Sequence, residues 1–75
     1  MDNQNTSRQL RYLEEVRIPL HRAGFGTLPV EGEQLPVLWN GTPLCRITGK
    51  GSVFYRRQDV DTPQAEDALY RVEDI

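Results

Sequence analysis

Residues 35–57, LPVLWNGTPLCRITGKGSVFYRR, decide the fold of this chain. Asn40-Gly41 is the strongest local signal in it. A two-residue type I′ turn needs positive φ at both central positions, which Asn and Gly tolerate best. Strand-like residues flank the pair as Val37-Leu38-Trp39 and Leu44-Cys45-Arg46-Ile47. Gly49-Lys50-Gly51 then turns the chain again, joining residues 44–48 to 52–57. The stretch reads as a three-stranded antiparallel meander.

Its register follows only in part. With Trp39 opposite Thr42, Val37 falls opposite Leu44, on one face with Leu35, Trp39 and Arg46. Leu38, Cys45 and Ile47 take the other face. A three-residue second loop pairs Ile47 with Val53 and Cys45 with Tyr55. A two-residue loop pairs Cys45 with Phe54 and Leu44 with Tyr55, and a one-residue slip reverses every side chain. Both faces carry apolar groups in either case, so cover is expected on both, and a second chain is a candidate for one cover.

Outward from the meander, residues 1–5 are polar and expected to be disordered. Thr6 and Gln9 form a T-x-x-Q capping box. Leu10, Leu13, Val16 and Leu20 recur at the spacing of an amphipathic helix, with Tyr12 beside them, predicting a helix over 7–23. Pro19 lacks an amide donor and crowds the carbonyl four residues back, so a kink or restart is expected over 15–19, with Gly24 as C-terminal cap. Residues 27–30 read as extended and Glu31-Gly32-Glu33 as a turn. Pro29 and Pro36 cannot donate to a ladder, which predicts edge strands or one-sided pairing there. Thr62 caps a final helix over 63–73, with Pro63 at its first position, acids in its first turn, and Ala65, Ala68, Leu69 and Val72 as its apolar stripe. The expected architecture is one α+β domain over residues 1–75: an N-terminal kinked helix, a three- to four-stranded antiparallel β-meander over 27–57, and a short C-terminal helix.

Seventy-five residues bury only roughly 60–65% of the unfolded surface, and chains this short often lean on disulfides, a metal or a partner subunit. Cys45 is the only cysteine and His21 the only histidine, which excludes an internal disulfide and a four-ligand zinc site. Self-association is the expected support. No apolar run reaches the length of a membrane span, and MDNQNTSRQLR lacks a signal peptide's apolar stretch, so a cytoplasmic protein without membrane contact is expected. Net charge is −2, but residues 42–57 carry four cations and no acid, while residues 58–75 carry six acids against Arg71 alone. Such segregation points to surfaces that complement each other, within the fold or between copies.

The candidates for chemistry have structural explanations. Gly49-Lys50-Gly51-Ser52 lacks the spacing and the following helix of a phosphate-binding loop, and Gly24-Phe25-Gly26 lacks the third glycine of a dinucleotide fingerprint. Cys45 in mid-strand reads as a small buried hydrophobe rather than a nucleophile. Glu14-Glu15 point apart on a helix, and Asp59, Asp61, Glu66 and Asp67 suit caps and the helix dipole. No catalytic site, cofactor or metal is expected. The binding candidates are Trp39, Arg46, Lys50, Phe54, Tyr55, Arg56 and Arg57, because aromatics on a sheet flanked by cations suit a partner surface or stacking on unpaired bases.

The skeleton L-P-V-L-W-N-G-x-P-L-C-R-I-x-G-K-G-x-V-F-Y, residues 35–55, resembles small uncharacterised proteins carried on bacterial conjugative mobile elements. That resemblance implies an accessory role near DNA transfer or its regulation. The residues themselves predict a non-catalytic protein-interaction module that binds a protein partner or a second copy of itself. Nucleic-acid binding through a basic, aromatic sheet face is the alternative.

Overall fold

The computed structural model describes residues 3–75. Helix α1 spans Asn3–Arg22, followed by strands β1 (Gly26–Thr27), β2 (Gln34–Trp39), β3 (Thr42–Thr48) and β4 (Val53–Phe54). A 3₁₀ turn over Arg57–Asp59 leads to helix α2, Pro63–Glu73. The strands form one antiparallel sheet in the order β1-β2-β3-β4. This is the α+β order expected from sequence.

Helix α1 starts earlier than expected. Residues 3–5, read as disordered, are helical, and Thr6 lies inside the helix rather than at its cap; residues 1–2 lie outside the described residues. Nor does Pro19 divide it: α1 is one element through that position. The proline sits in the last turn, and the carbonyl it orphans, on Glu15, belongs to an exposed residue that water can reach. The helix ends in a Schellman motif: Gly24, at φ +95°, donates to His21, and Phe25 donates to Leu20. Phe25 and Leu20 are both buried, the apolar contact that accompanies this motif. The buried stripe of α1 is Leu13, Val16 and Leu20, while Leu10 stays 39% exposed.

The first hairpin forms as predicted, with Trp39 opposite Thr42 and Asn40 and Gly41 at φ 54° and 78°. The expected register does not survive past Pro43. Leu38 pairs with Pro43, but Val37 pairs with Cys45, because a bulge admits Leu44 as an extra residue. Continued alternation would have put Arg46 on the face of Leu35 and Val37. The bulge turns Arg46 outward and Ile47 inward, which spares the core a buried guanidinium. Leu44 and Cys45 are both buried beside it.

Of the two registers left open for the second hairpin, the three-residue loop is the one formed, with Ile47 opposite Val53 and Arg46 opposite Phe54. Strand β4 is shorter than expected: Tyr55 and Arg56 leave the ladder before the 3₁₀ turn. Pro36 stands in a strand paired on both sides, not at an edge. Its carbonyl accepts from Leu28, so its missing donor faces the β1 side, where β1 has already ended at Thr27. Within Glu31–Gln34 a tight turn holds Gly32 and Glu33 at φ 56° and 63°.

Both helices pack on one face of the sheet. Leu35, Val37 and Ile47 point into a core shared with Leu13, Val16 and Leu20 of α1 and with Ala65, Ala68, Leu69 and Val72 of α2. Val60 closes it below the 3₁₀ turn. At the start of α2, Thr62 Oγ1 accepts from the Ala65 amide at 3.1 Å, and Pro63 holds the first helical position, as predicted. Among the described residues, neither α1 nor α2 covers the other face of the sheet.

Candidate interaction surface

Alternation along the strands selects what the helix-free face displays. Pro36, Arg46 and Phe54 lie across β2, β3 and β4 in register, Leu38 pairs with Pro43, and Leu28 hydrogen-bonds beside Pro36. Together with Tyr55, Arg56 and Asp59 they line a groove of about 350 Å³. Pro36 is buried at its floor. Leu28, Phe54 and Tyr55 are 45%, 57% and 53% exposed around it.

The charges on this face come in pairs. Arg46 Nη2 lies 3.4 Å from Glu31 Oε1, and its Nη1 donates to Gln34 Oε1 at 3.3 Å. Arg56 grips Asp59 with both arms of its fork, Nε to Oδ2 at 2.8 Å and Nη2 to Oδ1 at 3.2 Å. The hydrogen bond and charge of Asp59 hold the Arg56 guanidinium above its ordinary value. The face is therefore apolar at its centre, polar at its rim and close to neutral.

Four of the residues singled out from sequence, Arg46, Phe54, Tyr55 and Arg56, meet at this groove. The other three do not. Trp39 is half-buried against the core, on the helix side of the sheet, with its carbonyl accepting from Thr42 Oγ1. Arg57 opens the 3₁₀ turn and is exposed. Lys50 sits on the second hairpin, in a separate hollow with Arg8, Gln9, Tyr12, Gly49 and Gly51. Among the described residues, no carboxylate of α2 pairs with any of these cations. The segregated charge is thus not neutralised by the basic hairpins folding onto the acidic helix.

Two groups suited to chemistry are otherwise engaged. Burial, with the charge of Glu73 as a smaller cause, pushes the Cys45 thiol up to about 12, so it stays protonated at neutral pH. The sequence reading left His21 without a role. Its Nε2 lies 2.9 Å from Thr27 Oγ1, and that oxygen accepts from Arg17 Nη1 at 3.0 Å. Arg17 Nε lies 2.9 Å from Glu14 Oε1 without the alignment of a hydrogen bond, while Nη2 donates to Glu14 Oε2 at 3.3 Å. This chain of contacts fastens β1 to α1. Its signal was the i, i+3 and i, i+4 spacing of Glu14, Arg17 and His21, which shares one helix face; the partner on β1 had none. Arg71 of α2 stands 5.1 Å over the Phe25 ring, tying the second helix to the end of the first.

Among the described residues, no three His, Cys, Asp or Glu side chains gather as metal ligands, and no helix is long and apolar enough to cross a membrane. No protein-family model matches the chain, and neither a curated protein nor a solved structure is significantly similar to it.

Proposed function

We propose that the chain is a small non-catalytic interaction module that self-associates through the helix-free face of its sheet. One observation carries this reading: Leu28, Phe54 and Tyr55 are exposed together on the one sheet face that neither helix covers. Apolar centres ringed by paired charges have the anatomy of protein–protein contacts. The occupant is a second copy, because Arg46 with Glu31 and Arg56 with Asp59 make the face near-neutral and self-complementary under a two-fold axis. Two such faces do not repel, and burying them adds the core area that a 75-residue chain lacks.

Light scattering tests it. The wild-type chain is expected to show a mass near twice 8.6 kDa at ~100 μM and to dissociate on dilution. A Phe54→Ser/Tyr55→Ser variant is expected to stay monomeric with an unchanged fold by circular dichroism. A wild-type monomer at that concentration sinks the reading.

The second reading is a nucleic-acid-binding accessory protein, in keeping with the resemblance to mobile-element proteins. Phe54 and Tyr55 beside Arg46 and Arg56 favour it, since exposed aromatics stack on unpaired bases. The carboxylates already paired with both arginines weigh against it. Anisotropy titrations with single-stranded DNA and RNA separate the two: affinity falling steeply between ~50 and ~200 mM salt would favour the nucleic acid.

A further inference from the structure

A second concavity lies away from the sheet groove, where the Gly49-Lys50-Gly51 turn meets the first part of α1. This hollow, of about 360 Å³, is lined by Arg8, Gln9, Tyr12, Gly49, Lys50 and Gly51. We propose that it binds the phosphate group of a ligand, and that Arg8, Lys50 and Tyr12 recognise it.

The lining is one-signed. It holds two cations, a hydroxyl and an amide side chain, and no carboxylate. Arg46 and Arg56 on the sheet face have their carboxylates within 3.4 Å and 2.8 Å, whereas among the described residues neither Arg8 nor Lys50 has an ion-pair partner. An anion entering here displaces no pair among the described residues.

The turn is also held in place. Gly49 packs so close to Gln9 that any Cβ at position 49 would run into the Gln9 Cβ. Thr48 Oγ1 accepts from the Ser52 amide at 3.1 Å and from the Lys50 amide at 3.3 Å, and the Gly51 amide donates to the Thr48 carbonyl. Those bonds fix the loop, and they leave recognition to side chains. Gly51, at φ +88°, carries no Cβ where the Tyr12 hydroxyl reaches the turn, 3.5 Å from the place a Cβ would take. Arg8, Lys50 and Tyr12 border one open space, and a guanidinium fork, an ammonium and a hydroxyl suit the several oxygens and double charge of a phosphate better than a single carboxylate.

The site shares no lining residue with the sheet groove, so it stands independently of self-association. The test is an amide chemical-shift titration of the 75-residue chain at low ionic strength, with inorganic phosphate, pyrophosphate, and chloride at matched ionic strength. Saturable shifts centred on Gly49, Lys50 and Gly51 are expected with phosphate at a Kd of ~1 mM, and tighter with pyrophosphate. Arg8→Gln and Lys50→Gln are each expected to weaken binding roughly ten-fold, with no change in melting temperature, because both side chains are exposed. Phe54→Ser/Tyr55→Ser is expected to bind unchanged. An oligonucleotide with a 5′-phosphate compared with its 5′-hydroxyl form identifies the source: tighter binding of the former means a terminal phosphate, and equal binding means backbone phosphates. Shifts that chloride reproduces, shifts that persist in the Arg8→Gln/Lys50→Gln double variant, or no saturable shift would overturn the proposal.

Discussion

Along β2, alternate side chains face opposite sides of the sheet. Leu35 and Val37 point at the helices and are fully buried, whereas Pro36 and Leu38 point the other way, into a groove open to solvent. Both sets are apolar, so composition does not separate them. Helix placement does: α1 and α2 both lie on the Leu35 side, and the second face is left with Phe54 and Tyr55 more than half exposed. One face of this sheet holds the fold together, and the other is available for contact.

The largest effect is expected where that division is crossed. Leu35→Ala removes a side chain with no exposed surface, and such truncations cost about 2–5 kcal/mol. A domain of this size has little more than that in total, so the variant is expected to be largely unfolded in a urea titration followed by circular dichroism. Phe54→Ala deletes more atoms, yet in dilute monomer it is expected to stay within about 0.5 kcal/mol of wild type. Equal losses at the two positions would mean that the open face is covered in the monomer.

Cys45 sharpens the comparison from the buried side. Its folded-state thiol is raised from 9.0 to about 12, so the folded protein disfavours the thiolate. The resulting stability is fully present below pH ~9, where both states keep the proton, and is lost as pH rises toward 12 and the unfolded chain ionises first. Cys45→Ala is expected to flatten that alkaline decline relative to wild type. Thiol-reagent labelling of the native protein is expected to follow unfolding; fast labelling at neutral pH would place Cys45 at the surface.

The two glycine turns differ in the same instructive way. Gly41 needs only its positive φ, since nothing lies within 4 Å of a Cβ there, whereas Gly49 needs space, because Gln9 occupies it. Gly49→Ala is therefore expected to cost about 1–3 kcal/mol by overpacking. Gln9→Ala cannot relieve it, since the clash is with the Gln9 Cβ; Gln9→Gly is expected to recover part of the loss. Gly41→Val is expected to cost about 1–2 kcal/mol through backbone strain alone, with no rescue by any neighbour. Rescue of Gly49→Ala by Gln9→Ala would show that the hairpin does not rest on α1 as described.

Much of this was written locally. Asn40-Gly41, Gly49-Lys50-Gly51, and Thr62 with Pro63 each carry their own turn or cap chemistry, so both hairpins and α2 could be read from short stretches. The bulge at Leu44 could not. It is set by the competition between keeping ladder alternation and burying Arg46, and that competition exists only once β2 and the helices are in place. Because the bulge decides which face Arg46 joins, the groove was beyond local reading, although four of its members were named. Trp39 misled for the complementary reason: it has the chemistry of a contact residue, but the first hairpin turns it toward the core.

The smallest expected effect on the fold is the most informative about the open face. Asp59→Asn keeps the shape of the side chain, which is 17% exposed, and deletes its charge. The pair with Arg56 is a surface pair whose guanidinium is solvated, so monomer stability is expected to be unchanged in a melting experiment. The balance of the groove does change. Arg56 loses its counter-charge, the face becomes net positive, and two copies meeting through it now repel across the interface. Dimerisation followed by light scattering is expected to weaken and to recover with added salt. Affinity for single-stranded nucleic acid, measured on the same variant, is expected to rise and to fall with salt. If Asp59→Asn leaves self-association untouched at every salt concentration, the charged rim lies outside the contact, and the interface must be sought among the apolar residues alone.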